Sequence, residues 1–199
     1  HTGVVVKIET FALERWMTTW ETQVEFDIAE SGILPLTVND LLGFLPADER
    51  AATLDRLLDT RLGYSEAPGS LGLRSELAAT YRATGPDNIL VTTGAIEANF
   101  LLFNTLLDAG DHVVAVHPAY QQLYSVPRAI GCDVDLWPVR PDGDRFHYDL
   151  DELERLVTPR TRLIVVNTPH NPTGRVFTRE EIGLIAELCI EHDVWAITD

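Results

Sequence analysis

The stretch from residue 162 to residue 174 constrains the fold more than any other part of the sequence. Residues 163–166 (Leu-Ile-Val-Val) are consecutive apolar residues without polar alternation, the pattern of a parallel strand covered on both faces. They run directly into residues 167–174 (Asn-Thr-Pro-His-Asn-Pro-Thr-Gly), where prolines restrict the backbone before any ligand arrives. Ligands of open α/β sheets bind beyond the carboxyl ends of strands. The stretch therefore predicts a strand leading into a binding loop, although the same residues also suit an ordinary turn.

From residue 88 onward, short apolar segments alternate with amphipathic ones. Predicted strands cover residues 89–91, 112–116, 134–139, 163–166 and 194–198, and predicted helices cover residues 95–107, 120–130, 150–157 and 179–192. This alternation predicts an α/β fold with a doubly wound, mostly parallel sheet. The residues before it predict an N-terminal arm: a strand or extended piece over residues 4–8, then helices over residues 11–20, 48–62 and 71–83.

Bulk composition limits the partners of the protein. A hydrophobic fraction of 45% fits a globular protein with a buried core, and a formal net charge of −16 disfavours binding to nucleic acid or anionic lipid. Cys132 and Cys189 form neither a disulfide framework nor a metal-spaced pair, and the six histidines show no metal-ligand spacing. No signal region or membrane-spanning run is visible. We therefore expect a cytoplasmic protein that binds a small molecule, with no metal.

Three groups of candidate site residues follow strands of the predicted sheet. Gly94, Ala95 and Ile96 begin a helix, whose first-turn amides and dipole suit an anion such as phosphate, although every helix has such an end. Tyr120, placed shortly after a strand, can stack on a planar ring, although it can equally cap the core. Asp199 ends a strand of the same sheet, so its carboxylate is expected in the same crevice unless it is simply solvated. Together they suggest a site for a planar, phosphorylated ligand.

The order and spacing of these residues resemble one family. The chain is similar to the N-terminal half of a pyridoxal-phosphate (PLP) enzyme of fold type I, in the class I/II aminotransferase superfamily. The motifs that carry the resemblance are Asn171-Pro172-Thr173-Gly174 followed by Asp199, and Tyr64 followed by Gly69 and Leu73-Arg74. The resemblance implies that residues 1–60 form an N-terminal arm and part of the small domain. It implies that residues 61–199 form the first part of the PLP-binding large domain, with the C-terminal half missing.

The resemblance also implies roles for the residues that match the family pattern. Asp199 would pair with the pyridine nitrogen of PLP and keep it protonated. Asn171 would donate to the phenolic oxygen of the ring and help to bind substrate, and Tyr120 would stack on the ring face. The amides of Gly94, Ala95 and Ile96 would hold the phosphate.

The resemblance also implies which residues contact the substrate and the partner subunit, and where the Schiff-base lysine lies. Tyr64 would reach a phosphate across the interface of a homodimer, and Gly32 would lie near the substrate carboxylate. The segment around Gly32 departs from the Gly-x-Pro pattern that is usual in the family. The Schiff-base lysine is expected outside this chain, because relatives carry it after the strand of Asp199 and because Lys7, the only lysine here, lies in the N-terminal arm.

Three functions are compatible with this resemblance. The first is a PLP-dependent aminotransferase of amino-acid metabolism. The second is an aminotransferase-like lyase or cyclase of the capreomycidine synthase kind, acting on an arginine-derived amino acid in secondary metabolism, and the unusual segment around Gly32 favours it. The third is a ligand-binding regulator built on the same fold, against which the acidic charge counts.

Overall fold

The computed structural model describes residues 7–29 and 31–199, which divide into two compact units. One unit is made of the chain up to Ala29 together with Thr93–Asp199, and the other of the residues between them. Residues 4–6 of the predicted N-terminal strand lie outside the described residues. The predicted helix over residues 11–20 is confirmed as α1 (Ala12–Trp20). No helix in the described ranges combines the length and the apolar character needed to cross a membrane.

The larger unit contains a five-stranded sheet in the order β3-β2-β1-β4-β5. Its strands are β1 (His112–His117), β2 (Asp133–Asp142), β3 (Arg145–Tyr148), β4 (Thr161–Val166) and β5 (Trp195–Thr198). Strand β1 pairs in parallel with β2 and β4, and β4 pairs in parallel with β5, whereas β3 runs antiparallel to β2. The prediction of a mostly parallel sheet is therefore confirmed.

Helices cover both faces of this sheet. They are α5 (Gly94–Leu106), α6 (Gln122–Ile130), α7 (Leu150–Leu156) and α8 (Arg179–His192). One buried apolar cluster joins Val114, Val116, Ile164 and Val166 of the strands to Leu153 of α7 and Ile185 of α8. The other joins Val113, Ala115, Leu163 and Val165 to Phe103 of α5 and Leu123 of α6. Alternate strand residues thus face opposite helical layers, which confirms the doubly wound α/β fold.

Local sequence signals set the ends of these helices. Thr178 and Glu181 form a capping box at the start of α8, and Asp149 caps α7 by accepting a hydrogen bond from the Glu152 amide. At its other end α8 stops at Asp193, whose φ of 52° places it in the left-handed region. Helix α8 therefore has the bounds that its sequence predicts.

One predicted strand is wrong, and one strand of the structure was not predicted. Residues 89–91 do not form a strand; the amide of Val91 donates to the carbonyl of Pro68 at 2.9 Å, and Val91 packs against the backbone of Gly69. An apolar triplet can thus pack on a loop as well as join a sheet. Conversely, β3 was not predicted, although the turn at Gly143, with φ of 61°, connects it to β2 in a hairpin. An Asp-Gly pair between apolar segments is a hairpin signal.

The smaller unit is helical. It contains α2 (Val38–Gly43), α3 (Ala47–Leu58), α4 (Leu71–Ala79) and a short 3-10 helix at Pro86–Asn88. Helix α4 is shorter than the predicted helix over residues 71–83. Arg74 is buried in this unit and donates to the carbonyls of Gly69 at 2.9 Å and Pro86 at 2.7 Å, so it fastens α4 to the loops on either side.

Candidate active site

The topology of the sheet creates one position where loops diverge. From β1 the chain passes through α6 to β2 on one side, and after β3 it returns to the other side of β1 as β4. The connections that leave the carboxyl ends of β1 and β4 therefore lead in opposite directions. Such a switch point leaves a crevice in which ligands of α/β proteins bind. Tyr120, the loop over residues 167–174 and Asp199 all follow strands at this edge.

Asp199 is held by two neutral amide side chains. Its Oδ1 accepts a hydrogen bond from Asn99 Nδ2 at 2.7 Å, and its Oδ2 accepts one from Asn167 Nδ2 at 3.3 Å. Asn167 Nδ2 also donates to the backbone carbonyl of Asp199 at 2.8 Å, and the Asp199 amide donates to Val166 O at 3.0 Å. No cationic side chain among the described residues forms an ion pair with Asp199. The carboxylate is thus oriented without being neutralised.

The loop after β4 is fixed by side chains of its own and by the loop after β1. Asn167 Oδ1 accepts a hydrogen bond from the amide of Asn171. His170 is only 1% exposed, and its Nε2 lies 2.7 Å from the carbonyl of Pro118 while its Nδ1 lies 2.7 Å from Thr173 Oγ1. Burial lowers the pKa of His170 from its ordinary value. A neutral ring that donates from Nε2 and accepts at Nδ1 satisfies both contacts.

A layer of aromatic and charged side chains supports His170 from behind. The ring of Tyr148 meets His170 edge-on, with centroids 5.9 Å apart, and stacks on Phe177 at 4.1 Å. The guanidinium of Arg175 lies 4.5 Å from the centroid of Tyr148 and pairs with Glu181. Burial raises the pKa of Tyr148 to about 12, so its hydroxyl remains neutral. This packing keeps the loop in one conformation.

Tyr120 lies beside helix α1. Phe11 meets its ring edge-on, with centroids 5.7 Å apart, and the neighbouring Gln121 donates to the carbonyl of Thr10 at 3.1 Å. Burial raises the pKa of Tyr120, and the charges of Glu14 and Asp199 raise it further. Tyr120 follows β1 and Asp199 follows β5, so both lie at the carboxyl edge of the same sheet. Tyr120 is thus fixed at its edge by α1.

The start of α5 joins the same environment. Gly94 is its first residue, with φ of 79°, and Thr93 makes no side-chain capping bond to the first turn. The carbonyl of Ile96 accepts a hydrogen bond from Gln122 Nε2 at 2.5 Å, and Asn99, one turn further on, reaches Asp199. The helix start that carries Gly94, Ala95 and Ile96 is therefore tied to α6 and to Asp199.

The structure brings together most of the site residues predicted from the sequence. Asp199, Tyr120, Asn171 and the start of α5 belong to the larger unit and lie around the switch point. Tyr64 and Gly32 belong to the smaller unit, where both are exposed, and their roles stay predictions. Asn99 and Gln122 were not predicted; a polar residue on the buried face of an otherwise apolar helix is the only signal that could have indicated Asn99.

The chemistry of these groups fits the cofactor that the resemblance implies. An oriented carboxylate without a cationic partner suits a protonated ring nitrogen, an aromatic side chain suits a planar ring, and a helix start suits a phosphate. No described group of His, Cys, Asp and Glu side chains has the arrangement of a metal site.

The fold and the site define a doubly wound α/β protein with a ligand site at the switch point of its sheet. Comparison with known families makes this specific, because residues 31–199 match the family "Aminotransferase class I and II". The chain belongs to this family.

Two curated relatives illustrate the range of similarity. Arginine–pyruvate transaminase AruH of Pseudomonas aeruginosa is 35% identical over 172 residues, which cover 84% of this chain and 44% of the relative. Capreomycidine synthase of Streptomyces vinaceus is 39% identical over 166 residues, which cover 81% of this chain and 41% of the relative. The chain thus spans less than half the length of these relatives.

Solved structures agree with this picture. A PLP-dependent aminotransferase from Streptococcus suis superposes with a TM-score of 0.87 at 33% identity, covering 97% of this chain and 51% of that one. The PLP-dependent cyclase OrfR superposes with a TM-score of 0.82 at 32% identity, covering 100% of this chain and 50% of that one. The similarity therefore extends to proteins named for two different reactions.

Proposed function

We propose that the full-length protein is a PLP-dependent aminotransferase that acts on an amino acid. The observation that carries the proposal is the carboxylate of Asp199, which directly follows β5 at the switch point and is held by Asn99 and Asn167, with no cationic partner among the described residues. The family membership and the relatives named as transaminases support it. The lysine that the reaction requires lies outside this chain on this proposal, because Lys7 is the only lysine in the sequence.

Each residue of the site then has a defined task. When bound, PLP serves as an electron sink for the α-carbon of the substrate. Asp199 holds a proton on the ring nitrogen, which keeps that sink effective, and Tyr120 orients the ring. Asn171 donates to the phenolic oxygen and contacts the substrate. The amides of Gly94, Ala95 and Ile96 bind the phosphate at the start of α5.

A second function is favoured by the similarity to capreomycidine synthase and to the PLP-dependent cyclase OrfR. In this alternative the same site serves a lyase or cyclase that acts on an arginine-derived amino acid in secondary metabolism. The segment around Gly32, which departs from the pattern usual in the family, supports it. The two functions differ in the fate of the amino group, which leaves the substrate in transamination and stays with it in cyclisation.

One experiment tests the proposal and separates the two functions. Full-length protein is purified with PLP and incubated in separate reactions with L-arginine and with a β-hydroxylated L-arginine, each together with pyruvate, and the products are analysed by mass spectrometry. An aminotransferase produces alanine and the keto acid of the donor. A cyclase leaves pyruvate unchanged and converts a β-hydroxylated arginine into a ring product with loss of water. A full-length protein that binds no PLP would contradict both functions.

We further propose that the enzyme is a homodimer in which Tyr64 binds the cofactor phosphate of the partner subunit. The exposure of Tyr64, at the surface of its own unit, supports a role toward another molecule. A hydroxyl that donates to a phosphate contributes about 1.5–3 kcal/mol. The test mixes the impaired variants Tyr64→Phe and Asp199→Asn under conditions of subunit exchange, at a PLP concentration that is limiting for Tyr64→Phe. Recovered activity supports a shared site, and exchange without recovery contradicts it.

Cytoplasmic location also stays a prediction.

A further inference from the structure

A buried network of hydrogen-bonded polar groups leads from the start of α5 to Asp199. Asn99 and Phe103 are the buried residues of α5, so an amide occupies a position where this apolar helix would ordinarily place a hydrocarbon. Asn99 is 4% exposed and Gln122, on the facing helix α6, is 2% exposed. Burying an amide costs about 1–3 kcal/mol unless it is hydrogen-bonded. Two buried amides beside an apolar cluster therefore indicate a requirement other than packing.

The hydrogen-bond partners of Gln122 and Asn99 determine the orientation of each of these two amides. Gln122 must direct its nitrogen toward the carbonyl of Ile96, which can only accept. The oxygen of Gln122 therefore faces Asn99, and Asn99 Nδ2 lies 3.5 Å from it. The second hydrogen of the same Asn99 nitrogen is directed at Asp199 Oδ1, 2.7 Å away. Gln122 and Asp199 thus both present acceptors to the Asn99 nitrogen, which favours the orientation in which Asn99 donates to the carboxylate.

The lack of charge on the amides of Asn99 and Gln122 suits the proposed task of Asp199. A carboxylate that must hold a proton on a ring nitrogen needs its lone pairs oriented and its negative charge retained. A cationic donor would orient the carboxylate but would compete for its charge. An amide orients it and carries no charge. Asn167 contacts Asp199 as well, but its shorter bond is to the backbone carbonyl, so Asn99 makes the shorter contact with the carboxylate.

We propose that Asn99, oriented by Gln122, is a positioning residue that aims the Asp199 carboxylate at the ring nitrogen of the cofactor. The inference rests on the proposed function and deepens it. It explains why the helix whose start is assigned to the phosphate also carries a buried amide one turn further on. Helix α5 then fixes both ends of the cofactor in one rigid element.

The test replaces Asn99 in the full-length protein by Leu, which removes the donor, and by Asp, which replaces the donor by a carboxylate of similar shape. Asn104→Leu is the matched control, because Asn104 lies on the same helix, is exposed and bonds within that helix, to Phe100 O at 2.8 Å. Turnover, the absorbance spectrum of bound PLP and thermal unfolding are measured for each variant across a range of pH.

We expect Asn99→Leu to lower turnover roughly tenfold or more at every pH, since a hydrogen bond to a charged group is lost. Asn99→Asp should be equally impaired near about pH 8, where two carboxylates repel, and should recover toward about pH 6, because the new carboxyl then takes up a proton and donates to Asp199. Its PLP spectrum should recover in parallel. Gln122→Leu should have a smaller effect, and Asn104→Leu none.

Two results would overturn the positioning role while leaving the proposed function intact. One is wild-type turnover and spectrum in Asn99→Leu. The other is equal impairment of the Leu and Asp variants at every pH, which would indicate a structural role alone. If Asn99→Leu does not fold, the pH recovery of Asn99→Asp still decides the question. Wild-type protein that binds no PLP would instead overturn the proposed function, and with it this inference.

Discussion

The two ends of the sheet each contain a buried histidine, and they use it differently. His170, at the carboxyl end, is 1% exposed, and His112, at the amino end, is 3% exposed. Each has Nδ1 2.7 Å from a threonine hydroxyl. His170 joins two loops, because its Nε2 contacts the carbonyl of Pro118. His112 joins neighbouring strands, because it contacts Thr161 of β4 and Asp135 of β2.

The difference shows how topology rather than residue type assigns function. At the amino end, the polar contacts close between strands that already pair, and the exposed ion pair of Arg160 with Asp133 contributes little. At the carboxyl end, the two loops that His170 joins carry Asn171 and Tyr120, and Asn167 links the amide of Asn171 to Asp199. These groups surround the crevice at the switch point. We therefore expect substitutions of the groups that face the crevice, Asp199, Asn171 and Tyr120, to affect function, and substitutions at the amino end to affect stability alone.

The largest difference in effect is expected when aspartate is replaced by asparagine at the carboxyl end and, for comparison, at the amino end of the sheet. Asp199→Asn in the full-length protein removes the negative charge assigned to the ring nitrogen, so turnover should fall by about 100-fold or more, equivalent to roughly 3 kcal/mol, while PLP remains bound. Asp135→Asn, at the amino end, should leave turnover unchanged. Steady-state kinetics with an absorbance check for PLP measures both. Equal losses in the two variants would remove the distinction between the ends.

A smaller effect is expected from the aromatic ring at the carboxyl end. Tyr120→Leu removes the ring that is proposed to stack on PLP, and an aromatic pair contributes about 0.5–1.5 kcal/mol beyond burial. The affinity for PLP should fall by roughly threefold to tenfold. Tyr120→Phe keeps the ring and should retain most of the affinity. PLP titrations followed by fluorescence measure both variants, and equal affinities for Leu and Phe would contradict stacking.

The pH dependence of stability should depend on His170. Its pKa in the folded protein lies below the ordinary value of 6.5, because burial disfavours the charged ring. The stability of the fold around a neutral His170 is therefore complete at pH values above the ordinary pKa of 6.5, and it is lost as the pH falls through the lower pKa of His170 in the folded protein. Urea unfolding should show a free energy that drops more steeply with acidification in the wild type than in His170→Gln, which does not titrate. Parallel pH profiles for the two proteins would contradict this assignment.

The smallest effect on function is expected from His112. His112→Gln disturbs hydrogen bonds between strands and should lower the free energy of unfolding by about 1–2 kcal/mol. PLP affinity and turnover should remain at wild-type values, because the contacts of His112 with Thr161 and Asp135 lie at the opposite end of the sheet from the crevice. Urea denaturation and PLP titration of the same preparation check both expectations. A loss of PLP affinity as large as that of Tyr120→Leu would show that the ends of the sheet are coupled.

The sequence predicts the parallel sheet and the position of the crevice because both depend on contiguous residues. An apolar run such as residues 163–166 identifies a buried strand, and polar residues directly after such strands must lie at one edge. This reasoning places Asp199, Asn171 and Tyr120 together without any long-range information. It fails for residues 89–91, whose apolar triplet packs on the loop at Gly69 instead of joining the sheet.

The supporting residues could not be predicted, because their partners are distant in the chain. Asn99 contacts Asp199, 100 positions away, and Gln122 contacts Ile96, 26 positions away. Both amides belong to helices, where the tertiary packing alone selects the partner of a side chain. His170 is visible in the sequence as a loop residue, but its contact with Pro118 depends on how two loops meet. Sequence patterns therefore identify the groups that face the ligand more readily than the groups that hold them.

The central claim is that Asp199 keeps the ring nitrogen of PLP protonated. The most direct test is 15N NMR of full-length protein reconstituted with PLP that is labelled at this nitrogen. We expect the chemical shift of a protonated nitrogen in the wild type and in Asp135→Asn, and that of an unprotonated nitrogen in Asp199→Asn at the same pH. An identical shift in the wild type and in Asp199→Asn would contradict it.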